Sequence, residues 1–205
     1  HGDNPSGTLP DGCPNIFGNS TMDEYGCKDL DGDGWSDSGD AFPRDSDSWS
    51  DADDDGFPDQ GDPDEVDDCP QVSGESFRNG TLGCPDADLD GWSDAEDEFV
   101  NESSQWADTD ADGYGDQLIG FEGDACPATP GNSTEDRYGC PDEDGDGWSD
   151  DGDDMPSNPT QWKDRDGDGY GDNSTGTMAD DFPSDGTQWN DTDGDGHGDN
   201  PYGSE

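Results

Sequence analysis

Large apolar side chains are scarce in this 205-residue chain: Leu, Ile, Val and Phe together number 17. That excludes a hydrophobic core of ordinary size. By composition alone such a chain stays unfolded unless something other than apolar burial folds it. Cations are scarcer still. Six Lys and Arg stand against 58 Asp and Glu, a formal net charge of −52. Nucleic acid is thereby excluded as a partner, because its phosphates need a basic surface. An anionic membrane surface is disfavoured for the same reason. No apolar run approaches the ~20 residues of a bilayer-spanning helix, so no membrane span is expected in this segment. The chain has two His, His1 and His197, no nucleophile paired with a base and no phosphate-binding Gly loop, so an enzyme is not expected. Helical and strand periodicity is also missing. Gly, Pro, Asp, Asn and Ser dominate every stretch, which leaves room for at most a helical turn or two, for instance over 98–106.

What the chain does have is one acidic phrase, Asp-x-Asp-x-Asp-Gly-x-x-Asp, written seven times. Its acid is chosen: Asp outnumbers Glu 48 to 10, as a tight loop requires and a merely acidic tail does not. The spacing is that of a calcium loop. Carboxylates at positions 1, 3 and 5 converge, Gly at 6 allows the sharp turn, position 7 offers its carbonyl, and position 9 offers an oxygen directly or through water. The copies run Asp29, Asp31, Asp33, Trp35, Asp37; Asp51, Asp53, Asp55, Phe57, Asp59; Asp86, Asp88, Asp90, Trp92, Asp94; and Asp108, Asp110, Asp112, Tyr114, Asp116. They continue with Asp142, Asp144, Asp146, Trp148, Asp150; Asp164, Asp166, Asp168, Tyr170, Asp172; and Asp191, Asp193, Asp195, His197, Asp199.

Each motif is closed by a further Asp. In short repeats it follows position 9 by three residues, at Asp40, Asp97 and Asp153, which is position 12, where a bidentate carboxylate would sit. In long repeats it follows by eight, at Asp67, Asp124 and Asp180. Asp3 and Asp11 stand at the same interval of eight, so the sequence opens inside a long repeat and, at Glu205, stops before the next closing Asp. Both ends therefore read as cut from a longer array. Short and long repeats alternate to give a truncated long repeat over 1–12, super-modules over 13–68, 69–125 and 126–179, and a further truncated long-type repeat over 180–205. Metal binding then supplies the folding free energy that apolar burial lacks, and at least seven calcium ions are expected.

The aromatic residues keep this register. Trp35, Trp92 and Trp148 sit at position 7 of the short motifs, and Trp49, Trp106, Trp162 and Trp189 each stand two residues before a long motif. Fixed register favours small clusters pinning one loop to the next over stacking on a ligand. Six Cys allow 15 connectivities. Only the local pairs Cys13 with Cys27, Cys69 with Cys84 and Cys126 with Cys140 give every module the same bond. A zinc reading lacks CxxC spacing and His partners. Disulfides imply an oxidising, extracytoplasmic setting, where each would stabilise by roughly 3 kcal/mol in the chain-entropy picture. Six of ten Asn lie in Asn-x-Ser/Thr, namely Asn19, Asn79, Asn101, Asn132, Asn173 and Asn190, which reads as N-linked glycosylation on an extracellular surface.

Acidic loops closed by Asp-x-Cys-Pro in alternating short and long spacing resemble thrombospondin type 3 repeats, over Asp29–Asp40, Asp51–Pro70, Asp86–Asp97, Asp108–Pro127, Asp142–Asp153 and Asp164–Pro183. The Trp-Ser-Asp and Gln-Trp punctuation is similar to tandem repeats of large archaeal and bacterial surface proteins. The resemblance implies an irregular chain wrapped around calcium, disulfides between neighbouring repeats, and an extracellular role in structure or adhesion. It also implies more than one ion per repeat, for which Asp45, Asp47, Asp62 and Asp64 are spare carboxylates. The sequence departs from the pattern where Phe-Pro or Met-Pro replaces Cys-Pro at short closures, and where Phe99 is followed by Val100. Dockerin-like modules share the loop spacing, but the amphipathic helices they need are missing. The expected fold is thus an irregular chain of tandem calcium loops, with few secondary-structure elements, forming an elongated rod stabilised by calcium and disulfides. The expected role is a stalk, spacer or filament segment of a cell-surface glycoprotein, with calcium-bridged carboxylates able to link chains laterally. An adhesive module with exposed Trp, or a calcium buffer, is the alternative.

Overall fold

The computed structural model describes residues 8–203. Within them there is no helix and no extended strand, only hydrogen-bonded turns, bends and two isolated parallel bridges, Asp124 with Tyr138 and Gly171 with Ala179. The helical turn expected over 98–106 is a plain turn, in which the Glu102 N–H donates to the Phe99 carbonyl at 2.7 Å. The chain forms two compact units, His1–Ser103 and Ser104–Glu205.

Regular structure is absent because side-chain oxygens take the backbone donors first. In every loop the position-1 carboxylate accepts an N–H from the loop it opens. Gly32 donates to Asp29 at 2.7 Å, Leu89 to Asp86 at 2.8 Å, Ala111 to Asp108 at 2.7 Å and Gly145 to Asp142 at 2.7 Å. The N–H of position 6 reaches the second oxygen, as in Gly56 to Asp51 at 2.9 Å and Gly169 to Asp164 at 2.9 Å. Curling the chain this tightly places position 6 in the left-handed region, from Gly169 at φ 91 to Gly34 at φ 106 in the loops before the last, where only Gly is at ease. Position 9 clasps the loop shut. Its N–H donates to the carbonyl before the motif, as in Asp116 to Ala107 at 2.8 Å. Its carboxylate accepts the position-2 N–H, as in Thr109 to Asp116 at 3.0 Å.

Short and long intervals end in the same place. The closing Asp donates its N–H to the position-8 carbonyl in both: Asp97 to Ser93 at 3.0 Å and Asp153 to Ser149 at 2.9 Å, but also Asp67 to Pro58 at 2.9 Å and Asp124 to Gly115 at 2.8 Å. Its Oδ1 then caps a turn two residues on, at Phe42, Cys69, Phe99, Cys126, Met155 and Phe182, with distances from 2.6 to 2.7 Å. Cys-Pro, Phe-Pro and Met-Pro are thus variants of one turn. The Val72 N–H donates to the Cys69 carbonyl at 2.8 Å just as Asp45 donates to Phe42 at 2.9 Å.

Successive loops are joined by rings and by disulfides. Trp35 stacks on Trp49 with centroids 6.5 Å apart, Trp148 on Trp162 at 6.4 Å, and Tyr170 on Trp189 at 5.3 Å. Position 7 of one loop therefore meets the ring that introduces the next, the packing the register predicts. The three disulfides pair Cys13 with Cys27, Cys69 with Cys84 and Cys126 with Cys140, and no described cysteine is free. Only Cys27, Cys84 and Cys140 form a buried apolar core among the described residues.

The rest of the interior is polar. Gln105 and Gln161, each standing before a Trp, are among the largest fully buried side chains. Gln161 accepts the Asn173 N–H at 2.8 Å and donates to the carbonyls of Asn173 and Thr177 at 2.8 and 3.2 Å. Gln105 and Gln188 repeat this on Gln117 and Asn200. The amide acts as an extra peptide group that holds the long interval in its curve. Gly171 must lie beneath it, since a Cβ there would come within 2.1 Å of the Gln161 Oε1. Replacing Gln161 by Leu, which keeps the bulk and removes the amide, is expected to destabilise the fold by about 2 to 4 kcal/mol, because buried backbone groups lose their partners. Thermal unfolding in calcium reads this, and an unchanged melting temperature would remove the Gln from the account of the fold.

Candidate metal centres

The loop geometry gathers carboxylates around common points. Single oxygens of Asp29, Asp31 and Asp33 lie within 4.8 Å of one another, and so do those of Asp51, Asp53 and Asp55, of Asp86, Asp88 and Asp90, and of Asp108, Asp110 and Asp112. The closing Asp feels the same charges: after burial, Asp33, Asp31 and Asp37 raise Asp40, Asp112, Asp110 and Asp116 raise Asp124, and Asp168, Asp166 and Asp172 raise Asp180.

The Asp at position 5 and the closing Asp each give one oxygen to the backbone. At position 5, Oδ1 accepts the position-7 N–H in every copy, from Trp35 to Asp33 at 2.7 Å through Phe57, Trp92, Tyr114, Trp148, Tyr170 and finally His197 to Asp195 at 2.9 Å. At the closing Asp, Oδ1 caps the following turn, as described above. The other oxygen turns inward. Buried carboxylate oxygens without a hydrogen-bond partner among the described residues belong to Asp31, Asp53, Asp88, Asp110, Asp144 and Asp166 at position 3, and to Asp33, Asp90, Asp146 and Asp168 at position 5. The others are on Asp37 at position 9 and on the closing Asp67, Asp124 and Asp180. Every such carboxylate oxygen occupies a ligand position of the motif. Asp124 is only 1 % exposed and Asp180 2 %. In the two long loops followed by a Cys segment, the second oxygen of position 5 is engaged instead: Gly74 donates to Asp55 at 3.0 Å and Gly131 to Asp112 at 2.8 Å.

This donor set fits a calcium ion. It offers oxygens alone, several per loop, on short side chains held by backbone hydrogen bonds, and calcium takes 6–8 oxygens in flexible geometry. No backbone N–H among the described residues donates to the position-7 carbonyls of Trp35, Phe57, Tyr114, Trp148 or Tyr170. Zinc is a poor match, since its usual N and S ligands are missing here and the cysteines are paired.

The seventh loop keeps the backbone but not the burial. Gly194 and Gly196 donate to Asp191 at 2.8 and 2.7 Å, yet Asp193, Asp195 and His197 are exposed. Asp11 caps Cys13 at 2.9 Å, as a closing Asp should, while its loop partner Asp3 lies outside the described residues. The spare carboxylates are not drawn in. Asp45 and Asp62 cap surface turns at Asp47 and Asp64, and all four are exposed. Of the sequon residues, Asn19, Asn79, Asn101, Asn132 and Asn190 are exposed, whereas Asn173 is half-buried and donates to the Thr160 carbonyl at 2.8 Å. No family model matches the chain, and no characterised protein sequence does either.

Three features were not anticipated from the sequence: the left-handed position 4, the clasp at position 9, and the buried Gln. The last had a signal, since Gln precedes Trp106, Trp162 and Trp189 alike.

Burial and crowding make these acids hard to ionise. Desolvation, and then the neighbouring carboxylates, hold Asp53, Asp110 and Asp166 above the ordinary value of 3.8. Asp40, Asp67, Asp97, Asp124, Asp153 and Asp180 are raised in the same way, although the N–H capping each one pulls it back. An acid raised on folding stabilises the fold fully below its unfolded value, and that contribution is lost as the pH rises through the folded one. The metal-free chain is therefore expected to gain order as the pH falls through the raised values toward 3.8. In calcium the trend reverses, because the ion binds the deprotonated form. Circular dichroism across this range, in chelator and in calcium, checks the pair of signs, and parallel trends would contradict it.

Proposed function

We propose that the chain is a calcium-dependent structural repeat region, a stalk, spacer or filament segment of an extracellular or cell-surface glycoprotein, in which each acidic loop binds at least one calcium ion. One observation carries the reading: buried carboxylate oxygens without a hydrogen-bond partner stand at the ligand positions of the repeat, facing one another. Uncompensated charges buried this way are costly, and a divalent cation is the economical remedy. Positions 1, 3 and 5, the position-7 carbonyl and the closing Asp supply the ligands, with position 9 holding the loop closed. Calcium when bound supplies the positive charge. The chain's own backbone pre-orients the oxygens that meet it.

The disulfides support an oxidising compartment, and the exposed sequon residues are accessible to glycan transfer. The likeness of the repeats to thrombospondin type 3 repeats supports the same setting. Among the described residues no helix is long and apolar enough to cross a membrane. Stacked rings favour packing over adhesion through Trp, and a simple calcium buffer would need neither the stacks nor the disulfides. Loops joined only to their neighbours would give an elongated, solenoid-like array.

Chelation is expected to abolish the order of the chain. Scattering and circular dichroism in EDTA should show expansion and loss of signal, and an unchanged particle would refute the calcium account. In saturating calcium, a radius of gyration near roughly 17 Å, the size of a compact globule of this length, would refute elongation while leaving the ion sites standing. Within one loop, Asp124→Asn is expected to cost at least one ion by native mass spectrometry, because its buried inward oxygen loses its charge. An unchanged ion count would remove the closing Asp from the ligand set.

A further inference from the structure

The backbone at position 4 is left-handed in every loop, but the residue there changes. It is Gly32, Gly145, Gly167 and Gly194 at φ 88, 80, 78 and 71 in the Asp29, Asp142, Asp164 and Asp191 loops. In the three loops between the first and fifth it is Asp54 at φ 62, Leu89 at φ 65 and Ala111 at φ 64. Side chains with a Cβ are strained in this region, Asp less than most.

Space is not the issue. A Cβ built on Gly32, Gly145, Gly167 or Gly194 meets nothing within 4 Å. Nor is the strain recovered by packing, since Leu89 is 64 % exposed and Ala111 also faces solvent. One bond accompanies the conformation in six of the seven loops, all but the Asp51 loop. The position-4 N–H reaches the position-1 carboxylate at 2.8 Å from Leu89 and 2.7 Å from Ala111, as it does at 2.7 Å from Gly145 and Gly167. Where ion binding and loop folding are one event, torsional strain in the folded loop is subtracted from ion affinity.

We propose that the position-4 residue grades calcium affinity along the chain, so that among the six loops with a closing Asp the Asp86 and Asp108 loops are the first to release their ions. This rests on the calcium reading above and adds an order of release to it. The fair comparisons are Leu89 against Gly32 and Gly145 in short loops, and Ala111 against its own glycine variant in the Asp108 loop, because Asp112, unlike Asp168, has its second oxygen engaged by a backbone N–H. Left-handed strain predicts affinities weaker by roughly five- to thirty-fold. Asp54 places the Asp51 loop in between. These two loops stand on either side of the division at Ser103 and Ser104, so among the six closed loops unloading begins with the middle pair.

Hydrogen exchange of the full chain at stepped free calcium tests this, with the amides of positions 4 and 6 reporting each loop. In the unaltered protein the Asp86 and Asp108 loops are expected to lose protection at free calcium roughly five- to thirty-fold above that for the Asp142 and Asp164 loops. Leu89→Gly and Ala111→Gly should lower their own loops' midpoints to match. Leu89→Asn should do much of the same, since Asn tolerates the left-handed region without the flexibility of Gly. Gly145→Leu should raise the midpoint of the Asp142 loop alone. Protection at saturating calcium confirms that each variant folds. A common midpoint for all loops, or glycine variants without a shift, overturns the grading and leaves calcium binding intact. Protection that ignores calcium altogether overturns both.

Discussion

Mutual repulsion between buried carboxylates is the constraint on which everything else in this molecule depends. Folding brings acids of one sign together out of water. At Asp124, burial and then the charges of Asp112, Asp110 and Asp116 oppose ionisation. An ordinary domain avoids such a cluster or pairs it with Lys and Arg. This chain has six basic residues in all, and the ion pairs among the described residues use exposed cations, such as Lys163 with Asp154 at 2.8 Å. A bound cation would turn the largest destabilising interaction of the fold into its largest stabilising one. It would also make folding conditional on the ion.

The same carboxylates explain why the backbone is irregular and still ordered. Helices and sheets arise when N–H groups find carbonyls at regular offsets. Here the offsets are set by Asp. Positions 1, 5 and 9 and the closing Asp accept N–H groups within and just beyond the loop, and each bond that curls the chain also aims the other oxygen of that Asp or of its neighbours. The side chains that curl the chain are therefore also the ones that would meet a cation. The interior between loops follows this polar logic, since Gln105, Gln161 and Gln188 complete the backbone's hydrogen bonds where an apolar side chain would leave them open.

Much of this was legible in the sequence because it is written in residue types that have few other uses at such spacing. Asp at alternate positions followed by Gly gives the convergence of Asp29, Asp31 and Asp33. Equal registers give the disulfide pairs and the stacking of Trp35 on Trp49. The illegible part is what different residues do alike. Leu89 and Ala111 share a torsion with Gly145, and no residue type announces it, because the torsion goes with a bond to the Asp86 and Asp108 carboxylates. Asp37 and Asp59 read as ligands by position, yet much of their hydrogen bonding goes to closing the loop, to Lys28 in one case and to Ser50 and Ala52 in the other. Asp45 and Asp62 read as spare ligands by charge, but each has a nearer N–H to cap. For a short acidic side chain, a local backbone donor competes with any distant site.

The equivalence of short and long closures shows what the repeat holds fixed and what it leaves open. The N–H of the closing Asp meets the position-8 carbonyl whether three residues or eight separate it from position 9. The extra residues of the long interval therefore form a bulge pinned at both ends, and the convergence of the loop's carboxylates does not depend on their identity. They are free to differ: Gln60–Val66 is acidic, Asn173–Ala179 carries a sequon, and Gln117–Gly123 presents Leu118, Ile119 and Phe121 to solvent. Where Gln105 or Gln161 lies below, turning the bulge outward costs the loop little, because the buried amide holds its backbone in place. Keeping the loop geometry while varying the bulge presents a different surface at each long repeat.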